Sequence, residues 1–468
     1  MSPFRRLLPA ALVVALAAAL VIAVLNYNGA FARQSVLQVA SVGDLRDLFA
    51  PRDPSGPALA GRALEKLETD YYKPIEPQTP IAGEGSALRS FLNEKRVGNA
   101  TLPMEAASGN LHEDGARAAD LLAYAQSHYA SNVGANGRED LTDAALRGIM
   151  SSVHDPYTVY LSRREIQGLN ESLSGGNFGG IGVYIYQIKD GRIILQPIED
   201  LPASRAGMKP GVVLDTVNGT PVRGLNIDRV EAMIRGEAGT TVRLRAHAYS
   251  TPSAERTYVV VREIIHVPTV RAKMENGFDY IRLSDFGTTS AEEIRKALLD
   301  GRAHGARGYI LDLRDNGGGL LDAAVEISSF FIPQGTIVAT IRRDGERTAD
   351  EALGDAIGGL APLVVLVNKY TASASEITAG ALQDYHLATL LGTRTFGKGV
   401  VQSIFPLPDE SALKITTARY VTPAGRDIQH HGIEPDIVVA QDPNPGLIDT
   451  PADKQLAAAK ARLRSELR

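Results

Sequence analysis

The spacing of apolar residues changes twice along this chain of 468 residues. Over 34–165 they recur at helical spacing, as in ALAGRALEKLETDYY and LTDAALRGIMSSV. Over 170–264 short alternating runs such as TVRLRAHAY, separated by glycines, predict strands. Over 265–440 short apolar runs such as APLVVLV alternate with helical patterns such as SAEEIRKALLDG, which is typical of an α/β domain. A charged, alanine-rich helical tail is predicted over 441–468.

The helical region contains two weakly similar helix–loop–helix units. LEKLETDYY…SALRSFL and LLAYAQSHYA…AALRGIM follow the same layout. The segment PIEPQTPIAGEG, between the helices of the first unit, is predicted to be a turn-rich linker because of its prolines and glycines. Two interpretations are open for the extra unit: an interaction arm that makes the protein a homo-oligomer, or a helical spacer behind a membrane.

Residues 1–33 have the three-part form of an export signal. Arg5 and Arg6 precede an uncharged apolar run, and Ala30-Phe31-Ala32 provides an A-x-A cleavage site. The apolar run is also long enough to serve as an uncleaved membrane anchor. Both interpretations place the main body outside the cytoplasm, in the periplasm or on the periplasmic face of the inner membrane.

The amino-acid composition argues against several classes of function. The chain has no cysteine, so disulfides, thiolate chemistry and cysteine-bound metals are excluded. A formal net charge of −5 without basic clusters argues against nucleic acid as a partner. No H-E-x-x-H motif or carboxylate cluster occurs, so we expect neither a metal nor another cofactor.

The stretch with the strongest chemical signal runs from Asn368 to Gln402. Ser373 follows a predicted buried strand and begins a helical pattern, where backbone N–H groups and the helix dipole favour a developing negative charge. Ser375 is a nearby alternative. Lys398 stands between two glycines, and a lysine held in apolar surroundings there is able to lose its proton and act as a general base.

These residues resemble the motifs of the carboxyl-terminal processing peptidases, or tail-specific proteases. The family's S-A-S-E, T-F-G-K-G and Q are matched here, D-P-x-S-x-Y-L is matched by DPYTVYL, and D-L-R-x-N-P-G-G by DLRDNGGG with Gly317 in place of proline. The resemblance implies a serine-type endopeptidase with Ser373 as nucleophile, Lys398 as base and Gln402 orienting the lysine. It also implies a crotonase- or Clp-like α/β protease core over 265–440, with a helical contribution from 118–165.

The resemblance assigns two further sets of residues. The oxyanion hole would be formed by the N–H groups of Ala374 and Gly318, with Gly319 as the alternative to Gly318. The region 170–264 would be an inserted PDZ domain of the permuted bacterial type. Its loop of Gly180, Ile181, Gly182 and Val183 would bind the carboxylate of a peptide's C-terminus, and the next strand would pair with the peptide.

The implied function is cleavage of exported proteins near their C-termini through an acyl-enzyme. The partners are therefore protein or peptide substrates, and the sequence leaves open whether an adaptor or activator protein takes part. Two alternatives stay open at this stage: a non-catalytic protein that binds peptide tails, and an acyl-transfer enzyme of the crotonase type.

Overall fold

The computed structural model describes residues 56–173, 178–188, 190–225, 227–249, 251–265, 268–360, 362–441 and 447–467. The predicted signal or anchor over 1–33 lies outside these residues. Among the described helices, none combines the length and the apolar character needed to cross a membrane.

The described chain begins with a helical bundle, whose helices are α1 (Gly56–Asp70), α2 (Gln78–Glu94), α3 (Leu111–Val133) and α4 (Gly137–Ser151). Helix α1 packs on α3 and α2 packs on α4, so the two units seen in the sequence pair with each other. The linker prediction was wrong from Gln78 onward, where α2 already begins. Pro80 is tolerated because it lies in the first turn of the helix, where its missing N–H is not needed.

The next region, up to Ile265, forms a sheet with its own apolar core. The elements here are α5 (Arg163–Leu173), β2 (Phe178–Gly180), β3 (Val183–Gln187), β4 (Ile193–Pro197), α6 (Pro202–Arg205), β5 (Val212–Val217), β6 (Thr220–Pro221), α7 (Ile227–Ile234), β7 (Thr241–Ala248), β8 (Thr251–Val261) and β9 (Glu263–Ile265). The strands pair in the order β3-β4-β5-β7-β8, while β2 pairs separately with β9. Helix α7 contacts the edge strand β3.

The core of the molecule is a largely parallel sheet with helices on both sides. Its elements are β10 (Val270–Glu275), β11 (Phe278–Leu283), α8 (Ser290–Ala303), β12 (Tyr309–Asp312), α9 (Leu321–Ser329), β15 (Leu363–Val367), α10 (Ala374–Asp384), β16 (Thr389–Gly392), β19 (Ile437–Val438) and α11 (Lys454–Glu466). The strands pair in the order β10-β11-β12-β15-β16-β19. One face packs against α8, α9 and α10, and the other against the C-terminal helix α11, so both faces are buried.

A second sheet joins the helical bundle to the core. Its central strand is β18 (Ala412–Val421), which pairs with β1 (Val159–Leu161), β13 (Thr336–Arg342) and β17 (Val400–Pro406), while β14 (Arg347–Glu351) pairs with β13. Leu413 and Ile415 of β18 pack in the core of the bundle, and Tyr420 packs in the main core. One strand therefore fixes the bundle and the α/β core relative to each other.

Candidate active site

The candidate site lies where two neighbouring parallel strands end. Strands β12 and β15 pair in parallel, so the segments that follow them leave the sheet at the same edge. The glycine loop, residues 313–319, follows β12, and the serine turn, residues 368–373, follows β15. The Ala372 N–H donates to Asn316 O at 3.1 Å, and the Thr371 hydroxyl donates to Leu313 O at 2.8 Å. These hydrogen bonds join the two segments into one unit.

Ser373 occupies the N-cap position of α10 in a strained backbone conformation. Its φ of 57° lies in the left-handed region, which a non-glycine residue rarely adopts. The side chain is half-buried and stands at the positive end of the helix dipole. Ala374, the first residue of the helix, is buried directly beside it. This geometry suits a nucleophile, because the oxyanion of the tetrahedral intermediate would form next to the helix N-terminus.

Ser375 has a structural environment. Its side chain is fully buried, and its hydroxyl donates to Asn316 O at 3.0 Å. The hydroxyl therefore fastens helix α10 to the glycine loop. Of the two serines, Ser373 is the one with an accessible side chain.

A single buried carboxylate connects the serine turn with the lysine loop. Oε2 of Glu376 accepts hydrogen bonds from the Ser373 N–H at 3.0 Å and from the Lys398 N–H at 2.9 Å. Oε1 accepts from the Gly397 N–H at 2.8 Å and from the Thr395 hydroxyl. Burial raises the pKa of Glu376, while these donors act in the opposite direction. The Tyr420 hydroxyl spans the same two segments, since it contacts the carbonyl oxygens of both Ser373 and Lys398.

Lys398 is held in surroundings that weaken its affinity for a proton. Burial and the nearby cation of Lys414 lower its pKa to about 8, against the weaker opposing effect of Asp155 and Glu376. Its Nζ lies 4.7 Å from the centre of the Tyr157 ring. Tyr157 belongs to the D-P-x-S-x-Y-L match, so this motif supplies one wall around the lysine. An amine with a pKa near 8 is neutral in a useful fraction of molecules near neutral pH.

Gln402 lies on β17, which begins two residues after Lys398. Its amide nitrogen donates to Val400 O at 3.3 Å and to the Thr416 hydroxyl at 3.5 Å. The Thr416 hydroxyl donates in turn to Asp155 at 2.6 Å. Among the described residues, the hydrogen-bond partners of the Gln402 side chain thus lie on its own sheet, and its expected hydrogen bond to the Lys398 amine stays a prediction.

Gly318 lies against Ser373. A Cβ at this position would stand 2.8 Å from the Ser373 Cβ and 2.9 Å from the Ala374 nitrogen, so only glycine fits. The Gly318 N–H, however, donates to the Asn316 side-chain oxygen at 2.9 Å. It is therefore already engaged, and no acceptor for the Gly319 N–H is found among the described residues. Of the two candidate donors, only the Gly319 N–H is thus without an acceptor among the described residues.

The four residues predicted to hold a peptide tail also lie together. Gly180 ends β2, Ile181 is buried, and Val183 begins β3. Gly182 has a φ of 70°, and a Cβ there would meet the Leu201 side chain at 2.4 Å, which explains the glycine. Since β3 pairs only with β4 in its sheet among the described strands, its other edge is open beside α7.

Among the residues around the site that the sequence analysis did not indicate are Glu376, Tyr157 and Tyr420. Glu376 and Tyr157 lie inside motifs that the sequence shows, so their place near the site could be predicted. The groups that they contact could not. Tyr420 is more than twenty residues from Lys398, and only the sheet brings its hydroxyl to the site.

Comparison with known proteins decides the family. The family model of peptidase family S41 matches residues 278–439. A carboxy-terminal-processing protease of Bartonella bacilliformis is 35% identical over 338 residues, which cover 71% of this chain and 76% of that protein. The chain belongs to the carboxyl-terminal processing proteases. It is accordingly a serine-type peptidase, and the resemblance seen in its motifs is confirmed.

Another member of the processing proteases shows a similar degree of likeness. The carboxyl-terminal-processing protease of Synechocystis is 38% identical over 333 residues, which cover 68% of this chain and 76% of that protein. Among solved structures, the photosystem II D1 C-terminal processing protease is 28% identical with a TM-score of 0.46, covering 83% of this chain and 94% of that one.

Proposed function

We propose that the protein cleaves exported proteins near their C-termini with a Ser373–Lys398 dyad. Neutral Lys398 removes the proton from the Ser373 hydroxyl as its oxygen attacks the scissile carbonyl carbon. The C–N bond then breaks, and the lysine ammonium protonates the leaving amine. A water molecule, deprotonated by the same lysine, hydrolyses the ester and returns the free serine.

The observation that carries this proposal is the shared carboxylate of Glu376. It binds the backbone of nucleophile and base at once, so the two residues are held in one rigid unit. The second support is the pKa of Lys398, lowered to about 8 chiefly by burial. A lysine in an exposed loop would keep a pKa of about 10.4 and would be a poor base near neutrality.

For the oxyanion, we assign the N–H groups of Ala374 and Gly319. Both belong to segments that meet at Ser373, and backbone donors at a helix N-terminus stabilise the charge of a tetrahedral intermediate. Gly318 takes this role only if the Asn316 side chain releases its N–H. While the Gly318 N–H stays bound to Asn316, Gly318 is needed mainly because the loop approaches Ser373 too closely for a side chain.

For substrate selection, we assign the predicted region 170–264, whose described strands lie between Phe178 and Ile265, as a PDZ domain. The open edge of β3 supports this, because an extended peptide adds to such an edge by main-chain hydrogen bonds. The loop of Gly180–Val183 would bind the terminal carboxylate, with α7 forming the opposite wall. We further assign the protein to the periplasm or the periplasmic face of the inner membrane, on the pattern of residues 1–33.

The decisive experiment compares wild type with Ser373→Ala and Ser375→Ala, all without residues 1–33. The substrate is an unfolded protein with an apolar C-terminus, offered as the free acid and as the amide. We expect wild type to cleave the free acid faster than the amide, and Ser373→Ala to cleave neither. Ser375→Ala should keep catalysis, although less well because helix α10 loses an anchor. Activity in Ser373→Ala would refute the dyad, and equal rates on acid and amide would refute recognition of the terminal carboxylate.

A further inference from the structure

Besides its apolar contacts with the sheet, the C-terminal helix α11 is joined to the loop after β12 by one buried arginine. Arg314, in the loop that follows β12, is only 1% exposed. Its guanidinium donates twice to Asp312, at 2.9 and 2.6 Å, and twice to Asp453, at 2.9 and 2.8 Å. A fifth hydrogen bond, at 3.1 Å, runs to Gln455. Since a guanidinium has five N–H donors, all of them are satisfied.

Asp453 is an unusually well-fixed partner for this arginine. It is the N-cap of α11 and accepts the N–H groups of Leu456 and Asp449 as well. Burial disfavours its ionisation, yet Arg314 and these N–H groups hold its pKa below the usual range. The helix behind it is anchored by Leu456, Ala459 and Leu463 in the apolar core.

Arg314 stands only a few residues before the glycines beside the nucleophile. Between them, Asn316 is fully buried, and its amide nitrogen donates to Leu283 O at 2.9 Å. Its side-chain oxygen accepts the Gly318 N–H, and its carbonyl accepts the Ala372 N–H. A shift of Arg314 would therefore be transmitted to the glycine loop, because this short segment is fastened at both ends and contains little free backbone.

We propose that α11 is a positioning element of the active site, in which Asp453 holds Arg314 and thereby sets the backbone of the loop from Asn316 to Gly319. The inference rests on the proposed function, since this loop is assigned a donor to the oxyanion. It makes Asp453 and Gln455 positioning residues, because neither is placed to touch the substrate. The helical tail thus has a role in catalysis beyond covering one face of the sheet.

The test uses Asp453→Asn with Lys460→Gln as the matched control. Asparagine keeps the shape and the capping ability of Asp453 but turns an NH₂ group toward the guanidinium and removes one charge. Lys460 belongs to the same helix and pairs with Glu275 at 2.7 Å, on a part of the core that does not touch the glycine loop. Both variants loosen α11, but only the first disturbs Arg314.

The readouts are kcat, KM and the affinity for a peptide aldehyde, which forms a tetrahedral adduct with the serine. Loss of one oxyanion donor costs about 10²–10³ in kcat, so a displaced donor should cost about ten- to a hundredfold in Asp453→Asn. We expect the aldehyde affinity to fall by a similar factor and KM to stay within about twofold, since only the transition state uses the donor. Lys460→Gln should match wild type.

Equal losses in both variants would overturn the inference, because they would mean that α11 matters only for stability. A raised KM with unchanged kcat would overturn it as well. If Asp453→Asn does not fold, Gln455→Met, which removes one bond to Arg314, should still lower kcat several-fold without changing KM, and an unaltered kcat would reject the idea. Wild type and Ser373→Ala are run alongside: cleavage by wild type alone supports the proposed dyad, whatever Asp453→Asn does.

Discussion

At the scale of single residues, the proposed dyad depends on how readily Lys398 gives up its proton. Lys398 is half-buried, faces the Tyr157 ring and has a second cation, Lys414, in its surroundings. Burial disfavours the ammonium form directly, and a like charge adds to that effect. The nearby carboxylates work in the other direction, so the pKa of about 8 is the balance of these contributions.

The pH dependence of the free enzyme follows from this balance. Lys398 must be neutral to act as the base, so kcat/KM should fall about tenfold per pH unit below a midpoint near 8. Measurement of kcat/KM from pH 5.5 to 9.5 on a substrate with an invariant tail checks this. A rate that is flat down to pH 6 would exclude a lysine base with this pKa.

Lys414 should tune that midpoint. Its neighbours in β18, Leu413 and Ile415, pack in the helical bundle, so Lys414 faces the opposite side of the sheet, toward the site. Lys414→Met removes the like charge, and the midpoint of the kcat/KM profile should move to higher pH. Lys414→Arg keeps the charge and should leave the midpoint in place. A midpoint that is the same in all three proteins would contradict this role.

Glu376, whose carboxylate accepts the N–H groups of both Ser373 and Lys398, offers a sharper test of the proposed dyad. In Glu376→Gln the side chain keeps its size, but one carboxylate oxygen becomes an NH₂ group. An NH₂ group cannot accept hydrogen bonds, so the backbone N–H groups on that side lose their acceptor. We expect kcat to fall by about a hundredfold or more, with a smaller change in KM, because misplacing a reacting group by about 1 Å costs that much. Glu434→Gln, an exposed glutamate paired with Arg394, is the control and should keep wild-type kcat. Equal activity in the two variants would show that catalysis does not need the hydrogen bonds of Glu376 to Ser373 and Lys398.

At the scale of elements, helix α2 contains a carboxyl group with no evident structural function. Glu84 is completely buried in the bundle, and neither of its carboxylate oxygens has a hydrogen-bond partner among the described residues. Burial raises its pKa well above the usual range. Because the folded state binds the proton more tightly than the unfolded chain, this group contributes stability below its unfolded pKa of about 4.5, and that contribution is lost as the pH rises.

Replacing Glu84 should therefore stabilise the protein at neutral pH. Glu84→Met should raise the free energy of unfolding at pH 7 by about 1–3 kcal/mol, because an unpaired buried polar group is removed. The gain should shrink as the pH falls and be smallest below about 4.5, where Glu84 is protonated in both states. Glu94→Gln, at the exposed end of the same helix, is the control and should leave the unfolding curve unchanged. A destabilised Glu84→Met protein would point to a partner for this carboxyl group.

At the scale of the whole molecule, binding of the tail and cutting are assigned to regions that can be separated. The two ends of the proposed PDZ region lie side by side, because Phe178 pairs with Ile265 across the β2–β9 ladder. The region also has its own apolar core. Its removal should therefore leave the α/β core able to fold.

A variant in which a short glycine–serine linker replaces residues 179–264 tests this division. We expect it to keep Ser373 reactive toward a fluorophosphonate probe and to lose the preference for a free over an amidated C-terminus. Wild type under the same conditions should show both properties. If the excised protein still discriminates between the two tails, recognition does not reside in this region.

Local patterns in the sequence were sufficient for the elements that carry the chemistry. The apolar run before Ser373 is the buried strand β15, and the pattern after it is helix α10, as predicted. The prediction of a turn-rich linker was wrong at α2, where a segment rich in proline and glycine is helical. There Gly83 and Gly148 allow two helices to approach so closely that a Cβ on Gly83 would meet the Gly148 oxygen at 2.5 Å. That approach compensates for the poor helix propensity of the segment, and propensity alone cannot reveal it.

The sequence by itself determined the family and the motif residues. The reason is that the motifs around Ser373 and Lys398, like the strand and helix periods, each depend on a short stretch of chain. Only the tertiary structure decided which donors, acceptors and charges meet. It engages the Gly318 N–H with Asn316, joins the serine turn to the lysine loop through Glu376, and brings Asp453 to Arg314 across 139 positions. The physical reason is that hydrogen bonds and buried charges are satisfied by whatever groups packing brings near, and packing depends on the whole fold.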